Sequence, residues 1–285
     1  MIVLLCIYMR YSRKVRLMET IRQIINEHVM YRNQIFMLAK SDLTKTYRGA
    51  ALGWGWAVIK PLMTLFVFWF GFTVGLRSGK PINGYPYFLW LVGGFLPWFY
   101  MQEMITTGAT CIRQYKHLVT KMKFPVSIIP TYVSLSHLAT NIVLTFIAIL
   151  LFCAFGFFPD AYYLQIPLYM LMMYVFFTVW SMLAGMVASI SKDFQSLVRA
   201  CTSAVFWMSG IIYNVDKIHN PTIRLILKFN PVTDVATGYR NIFIYKKWFW
   251  EDPQALICYA ITLVVFTILA LVSFKKLRKE IPDVL

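Results

Sequence analysis

The sequence predicts an all-α integral membrane protein with six transmembrane helices, and three observations predict it. Of the 285 residues 59% are hydrophobic and only 14% charged, against about 45–50% and about 25% in average soluble domains. Six apolar stretches approach the roughly 20 residues needed to cross the ~30 Å hydrocarbon core. The basic residues divide unequally between the connections. A soluble enzyme, a disordered chain and a fibrous protein are excluded on composition.

The stretches run from about Gly53 to Leu76, Tyr85 to Gly108, Ser127 to Phe155, Ile166 to Ile190, Leu197 to Tyr213 and Gln254 to Phe274. Residues 1–17 read as an N-terminal extension, too short in its apolar part to span and without the basic start of a signal peptide. Met9 and Met18 are alternative starts. Residues 18–48 form the segment leading into the first span, and residues 49–285 the six-helix domain. Of the 28 Lys and Arg, 20 fall before or at the start of span one, in the second and fourth connections and after span six. Basic loops stay in the cytoplasm, so both termini are expected there, in agreement with an even number of spans.

Met18–Lys40 places Ile21, Ile24, Ile25, Val29, Phe36 and Leu38 between charges. It is too polar to span and amphipathic enough to lie in the interface; an ordinary solvated helix is the competing reading. The connection Cys111–Phe124, closed by Pro125, is either a short helix that docks a cytosolic partner or a charged loop. Asn214–Asp252 is too polar to span and contains two apolar pieces broken at Asn230-Pro231. Proline ends the first piece and suits the opening turn of the second. Two re-entrant half-helices between spans five and six are expected, since irregular backbone at depth needs protein or water around it. The other reading is an external cap.

Aromatic residues crowd span one (Trp54, Trp56, Phe66, Trp69) and span five (Phe206, Trp207, Tyr213). Rings at span ends fit an interfacial belt; rings facing a conduit would offer sugars flat apolar surfaces. Glu103, His137 and Asn141 are the main polar groups at depth and functional candidates on that ground. Gly49/Gly53 and Gly71/Gly75 have the small-x-x-x-small spacing of close helix packing. The five cysteines lack C-x-x-C spacing and the four histidines share no ligand spacing, so no disulfide framework and no metal site is expected. Gly75–Lys80 (GLRSGK) lacks the spacing of a phosphate-binding loop, and no nucleophile–base or paired-carboxylate signature occurs. The chain reads as a non-enzyme with no cofactor of its own. The external Asp216, Asp234, Glu251 and Asp252 are the only pool from which a membrane enzyme could draw.

Several motifs, in order, resemble one family. Lys45-Thr-Tyr-Arg48-Gly-Ala-Ala-Leu52-Gly53-Trp54 with Pro61-Leu62 is similar to the first-span motif of ABC-2 type permeases that export lipid-linked polysaccharides and teichoic acids. Gly93-Gly94-Phe-Leu-Pro97-Trp98-Phe99 resembles the second-span motif, and Lys121-Met-Lys123-Phe124-Pro125 with Pro130 the cytoplasmic connection. Ser191-Lys192-Asp193-Phe194 stands where such permeases have Arg-Asp. Asn230-Pro231 with Gly238-Tyr239-Arg240-Asn241 resembles the external re-entrant region. The likeness covers Met18 to the C-terminus. Lys60 departs from the uncharged residue usual before Pro61, and Ser209-Gly210 replaces a proline-containing pair. Gly75–Gly84 and Lys121–Pro125 look most like teichoic acid permeases.

The resemblance implies a half-transporter in the bacterial cytoplasmic membrane. Two copies would form the conduit, above two copies of a separate ATPase that binds ATP and Mg. Its cargo would be a polymer on polyprenyl pyrophosphate, with wall teichoic acid as the first expectation and O-antigen or capsular polysaccharide as the alternative. A permease for a small drug or lipid and a membrane enzyme are more distant. Lys45, Arg48 and Lys60 would attract the lipid's pyrophosphate, and the aromatics of spans one and five would line the polymer's route. Arg113, Tyr115, Lys116, His117, Lys121 and Phe124 would transmit closure of the ATPase. No nucleic acid is expected as partner.

Overall fold

The computed structural model describes residues 18–49, 51–75, 79–122, 124–278 and 280–281. The proposed extension 1–17 and Lys123 lie outside them. Among the described residues the chain is helical apart from turns and one isolated bridge between Ile82 and Tyr85.

Helix α1 covers residues 18–30, and the chain breaks at Tyr31 before α2 (Arg32–Tyr47). A 3-10 turn at Gly53–Gly55 leads into α3 (Trp56–Phe70), which ends in a π-helical turn at Gly71–Gly75. There follow α4 (Tyr87–Gln114), α5 (Lys116–Met122), α6 (Ile128–Ala154), α7 (Ile166–Ile190) and α8 (Lys192–Met208). The chain then forms α9 (Pro221–Lys228), α10 (Pro231–Arg240) and α11 (Pro253–Leu277).

Four segments are long and apolar enough to cross a membrane by length and composition: Gly53–Gly75, Ile128–Ala154, Ala161–Ile190 and Pro253–Leu277. The other two expected spans correspond to α4, with 28 residues, and α8, with 17. In α4, glycine, proline, rings and the pair Gln102-Glu103 replace aliphatic residues, which lowers its hydropathy without making it a surface helix. It is the axis of the fold, packed on α6, α7, α8 and α10. It also runs past the expected boundary at Gly108, because Cys111 and Ile112 are fully buried and extend the packed face.

Two apolar cores result. The larger joins α4 to α6, α7 and α10 through residues such as Leu89, Phe95, Met101, Met173, Tyr239 and Phe243. The smaller joins α2, α5 and the adjoining ends of α4, α6 and α11 through Ile35, Ile112, Val119, Tyr132 and Phe274. Both ends of the described chain lie in this second region. Gln23 accepts a hydrogen bond from Arg278, Ser127 donates to Glu27, and His28 Nε2 is 2.8 Å from Thr131 Oγ1. We refer to it as the terminal end, and to the opposite side as the far end.

Within the chain the two small-residue pairs pack against no other helix. A Cβ at Gly49, Gly53, Gly71 or Gly75 would meet nothing within 4 Å. Gly49 and Gly53 instead have φ of +80° and +48°, a backbone region that disfavours side chains, and they form the turn from α2 into α3.

Candidate functional site

The far end is held by a buried arginine. Arg240, at the last turn of α10, is 2% exposed. Its guanidinium lies 3.6 Å from the Trp90 ring centroid, donates to Gly210 O at 2.6 Å and to Tyr213 O at 3.3 Å, and also donates to Ile211 O. These carbonyls belong to the turn that follows α8, which places them in no regular hydrogen-bonded element and leaves them in need of donors when buried. Gly94 makes room for the arrangement, since a Cβ there would stand 2.8 Å from Ile211 O. The motifs at Gly93-Gly94 and Gly238-Tyr239-Arg240-Asn241, far apart in sequence, thus meet at one cation. Gly210 turns the chain with φ +63°.

Asn230-Pro231 behaves as the sequence predicts locally. Asn230 caps α10 by accepting from Val232 N at 3.1 Å, and its Nδ2 donates to Ser209 Oγ at 2.8 Å. Thr262 Oγ1 donates to Phe229 O at 3.0 Å. Thr262 lies nine residues into α11, about 14 Å along its axis, so α9 descends beside α11 before α10 returns to Arg240. Lys228 reaches back from the bottom to Asp252 at the start of α11, 2.7 Å away. Asp216, Asp234 and Asp252 gather with Lys228 around a cavity of only about 40 Å³, room for little more than water.

At the terminal end, α5 lies across the second core with Leu118 and Val119 inward and Lys116, His117 and Lys121 exposed. Arg113 donates to Ser189 O at 3.2 Å, tying α4 to the end of α7. Phe124 packs edge-on against Tyr31 at 5.2 Å. Tyr115 is buried and donates its hydroxyl to Asp42. Burial raises the Asp42 carboxyl above its ordinary range, against the hydrogen bond from Ser136 and the nearby His137 and Lys45. Of the six residues expected to couple to the ATPase, Lys116, His117 and Lys121 form the accessible face, whereas Arg113, Tyr115 and Phe124 join that face to the bundle.

Lys45 and Arg48 are exposed around the turn from α2 into α3. Lys60, one turn into α3, faces a cavity of about 590 Å³ between α2, α3, α4 and α6. Trp54, Trp56, Phe66 and Trp207 are exposed, and Trp69 and Tyr213 are partly covered. Phe206 is buried among Phe68, Phe95 and Trp98, with centroids 5.4–5.6 Å apart. The seven aromatics therefore divide into an exposed set and a packed one, which residue type alone does not separate. Among the described residues no group of three or more His, Cys, Asp or Glu is placed to hold a metal, and Cys111, Cys153, Cys201 and Cys258 are free.

Residues 33–244, well over half of the chain, match the ABC-2 type transporter family. The chain belongs to that family. Along nearly its whole length it is also similar to the O-antigen export system permease protein RfbA of Myxococcus xanthus. Identity is 26% over 262 residues, 92% of this chain and 98% of that protein. Proteins of the same name from Klebsiella pneumoniae are 23% identical over 253 residues, 88% of this chain and 94% of theirs. An ABC-2 permease is the membrane subunit of a transporter, and membership implies a partner ABC ATPase.

Proposed function

We propose that this chain is the permease subunit of an ATP-driven exporter that moves a polyprenyl-pyrophosphate-linked polysaccharide of the O-antigen type across the bacterial cytoplasmic membrane. The observation that carries this reading is end-to-end similarity to O-antigen export permeases, 98% of the Myxococcus xanthus protein's length. The likeness to teichoic acid permeases rests on two short segments, Gly75–Gly84 and Lys121–Pro125, so the reading first expected gives way to the alternative. Capsular polysaccharide belongs to the same chemical class.

In this reading α4 and α8 cross the membrane with the four apolar segments, making six spans. The burial of α4 and the ~26 Å length of α8 support that count. The bond from Thr262 to Phe229 supports re-entry of α9 and α10. Lys228 then snorkels outward to Asp252, as long cationic side chains do at membrane depth. The basic bias puts the terminal end in the cytoplasm. Exposed Val29, Met30, Phe36 and Met37 give α1 and α2 an apolar face for the interface, beside the face that buries Ile35 and Ala39.

A second copy of the chain completes the conduit against the exposed aromatics of α3 and α8, and two ATPase subunits bind beneath α5. Lys45, Arg48 and Lys60 attract the lipid pyrophosphate at headgroup level, because ammonium and guanidinium groups bind phosphate by charge-assisted hydrogen bonds.

Deletion of the gene followed by analysis of surface glycan and of lipid-linked intermediates tests the cargo. Loss of a surface polysaccharide, with the same sugars accumulating inside on a polyprenyl carrier, is expected. Loss of a polyol-phosphate polymer would return the reading to teichoic acid, and an unchanged surface would end the export reading.

A further inference from the structure

Asn141, in the lining of the cavity of about 590 Å³, has a buried side-chain oxygen without a partner among the described residues. The cavity is lined by Trp56 and Lys60 of α3, Phe99 and Glu103 of α4, and His137 and Asn141 of α6. Its volume lies within the range of small-molecule sites. Asn141 is 1% exposed, its Nδ2 donates to Leu96 O at 2.9 Å, and its Oδ1 accepts from no described residue. A buried amide oxygen without a donor is destabilising, and the two-lone-pair acceptor calls for an O–H or N–H.

The lining defines the class of molecule that would supply it. Phosphate oxygens offer no donor, and Glu103 repels a free anion. Trp56 and Phe99 supply aromatic rings to the lining, a chemistry that suits the C–H faces of a pyranose, and Glu103 and His137 can hydrogen-bond its hydroxyls. Lys60, exposed at the same cavity, supplies the cation for a phosphate joined to that sugar.

We propose that this cavity is a subsite for the first sugar of the lipid-linked polysaccharide, in which Asn141 Oδ1 accepts from a sugar hydroxyl or N-acyl N–H and Lys60 contacts the adjoining phosphate. This rests on the export reading above and adds to it a site that reads the sugar beside the phosphate that Lys60 holds. Recognition there would admit carriers already charged with glycan and reject the bare lipid, a specificity that basic residues alone cannot give.

The test uses the full chain co-purified with its ATPase and reconstituted in phosphatidylethanolamine nanodiscs. Two probes are titrated, undecaprenyl pyrophosphate carrying one N-acetylglucosamine and the same lipid without sugar, with binding read by native mass spectrometry. The unaltered protein is expected to favour the sugar-bearing probe about tenfold, the worth of a buried hydrogen bond. Asn141→Leu should bring that ratio close to one while retaining affinity for the bare lipid. Trp56→Leu, at an exposed position outside the core, should reduce the ratio about threefold and serves if Asn141→Leu fails to fold. Lys60→Met should weaken both probes alike. Equal binding of the two probes by the unaltered protein would overturn the sugar subsite and leave the export reading standing, as would a ratio untouched by both Asn141→Leu and Trp56→Leu. Binding of neither probe would overturn both.

Discussion

Helices α3 and α4 are neighbours with opposite fates. Of the 28 residues of α4, 18 are buried, whereas α3 buries Leu65 alone. Yet α3 belongs to a segment that meets the length and composition of a membrane span and α4 does not. Hydropathy measures what a helix would prefer around it, and burial shows what it has. The glycines and rings of α4 serve helix–helix approach, in keeping with small residues at membrane interfaces. The bare aromatic face of α3 is left to lipid or a second copy. Packing and the proposed functional surfaces thus lie largely apart: α4 fixes the axis, and the surfaces proposed to meet substrate or partner lie on α3, on α5 and at the cavity between α3, α4 and α6.

The largest effect expected from this contrast lies at the seam of α4. Arg240→Met leaves the carbonyls of Gly210, Ile211 and Tyr213 without their donor, and Gly94→Leu drives a side chain into the same place. Each should destabilise the protein by more than about 3 kcal/mol, read as loss of monodisperse protein in detergent. Wild-type thermal stability in either variant would break the comparison.

On α3 the same kind of change should scarcely touch stability. Phe66→Ala, at an exposed position, is expected to alter it by less than about 0.5 kcal/mol while weakening self-association. A large loss of monomer stability would mean that α3 is packed as α4 is. The exposed side of α5 sharpens the point further: Lys121→Glu should leave folding intact and reduce ATP hydrolysis by the complex several-fold.

The smallest effect is at Asp42. Its carboxyl is raised above the ordinary value by burial first, so the folded state favours its neutral form. The relative penalty on folding is absent below the ordinary carboxylate pKa and grows as pH rises through the shifted one. Asp42→Asn, with a side-chain oxygen still able to accept from Tyr115, should match the unaltered protein at acid pH and equal or exceed its melting temperature at neutral pH. A variant that melts lower at neutral pH than at acid pH, relative to the unaltered protein, would contradict this.

Much of the fold was legible because span-length apolar runs and their flanking prolines and charges are local signals. The fourth expected stretch coincides with α7, and the sixth differs from α11 by a few residues. The break at Tyr31 was not legible, since neither proline nor glycine marks it. The Arg240 arrangement was also hidden: its motif residues stood out, but its partners are backbone carbonyls, which have no residue-type signature. Glu103, His137 and Asn141 were conspicuous as polar groups at depth, and Lys60 as a departure from the family pattern. That they line one cavity depends on the approach of α3, α4 and α6, which no single sequence interval encodes.

The central claim, that this chain is the membrane half of an ATP-driven polysaccharide exporter, is tested most directly by co-expressing it with its partner ABC ATPase. The complex would be purified and its ATP hydrolysis measured with and without sugar-bearing undecaprenyl pyrophosphate. A stable complex of two permease and two ATPase chains, with hydrolysis raised by the lipid-linked sugar, is the predicted result. A chain that purifies alone and binds no ATPase would contradict it.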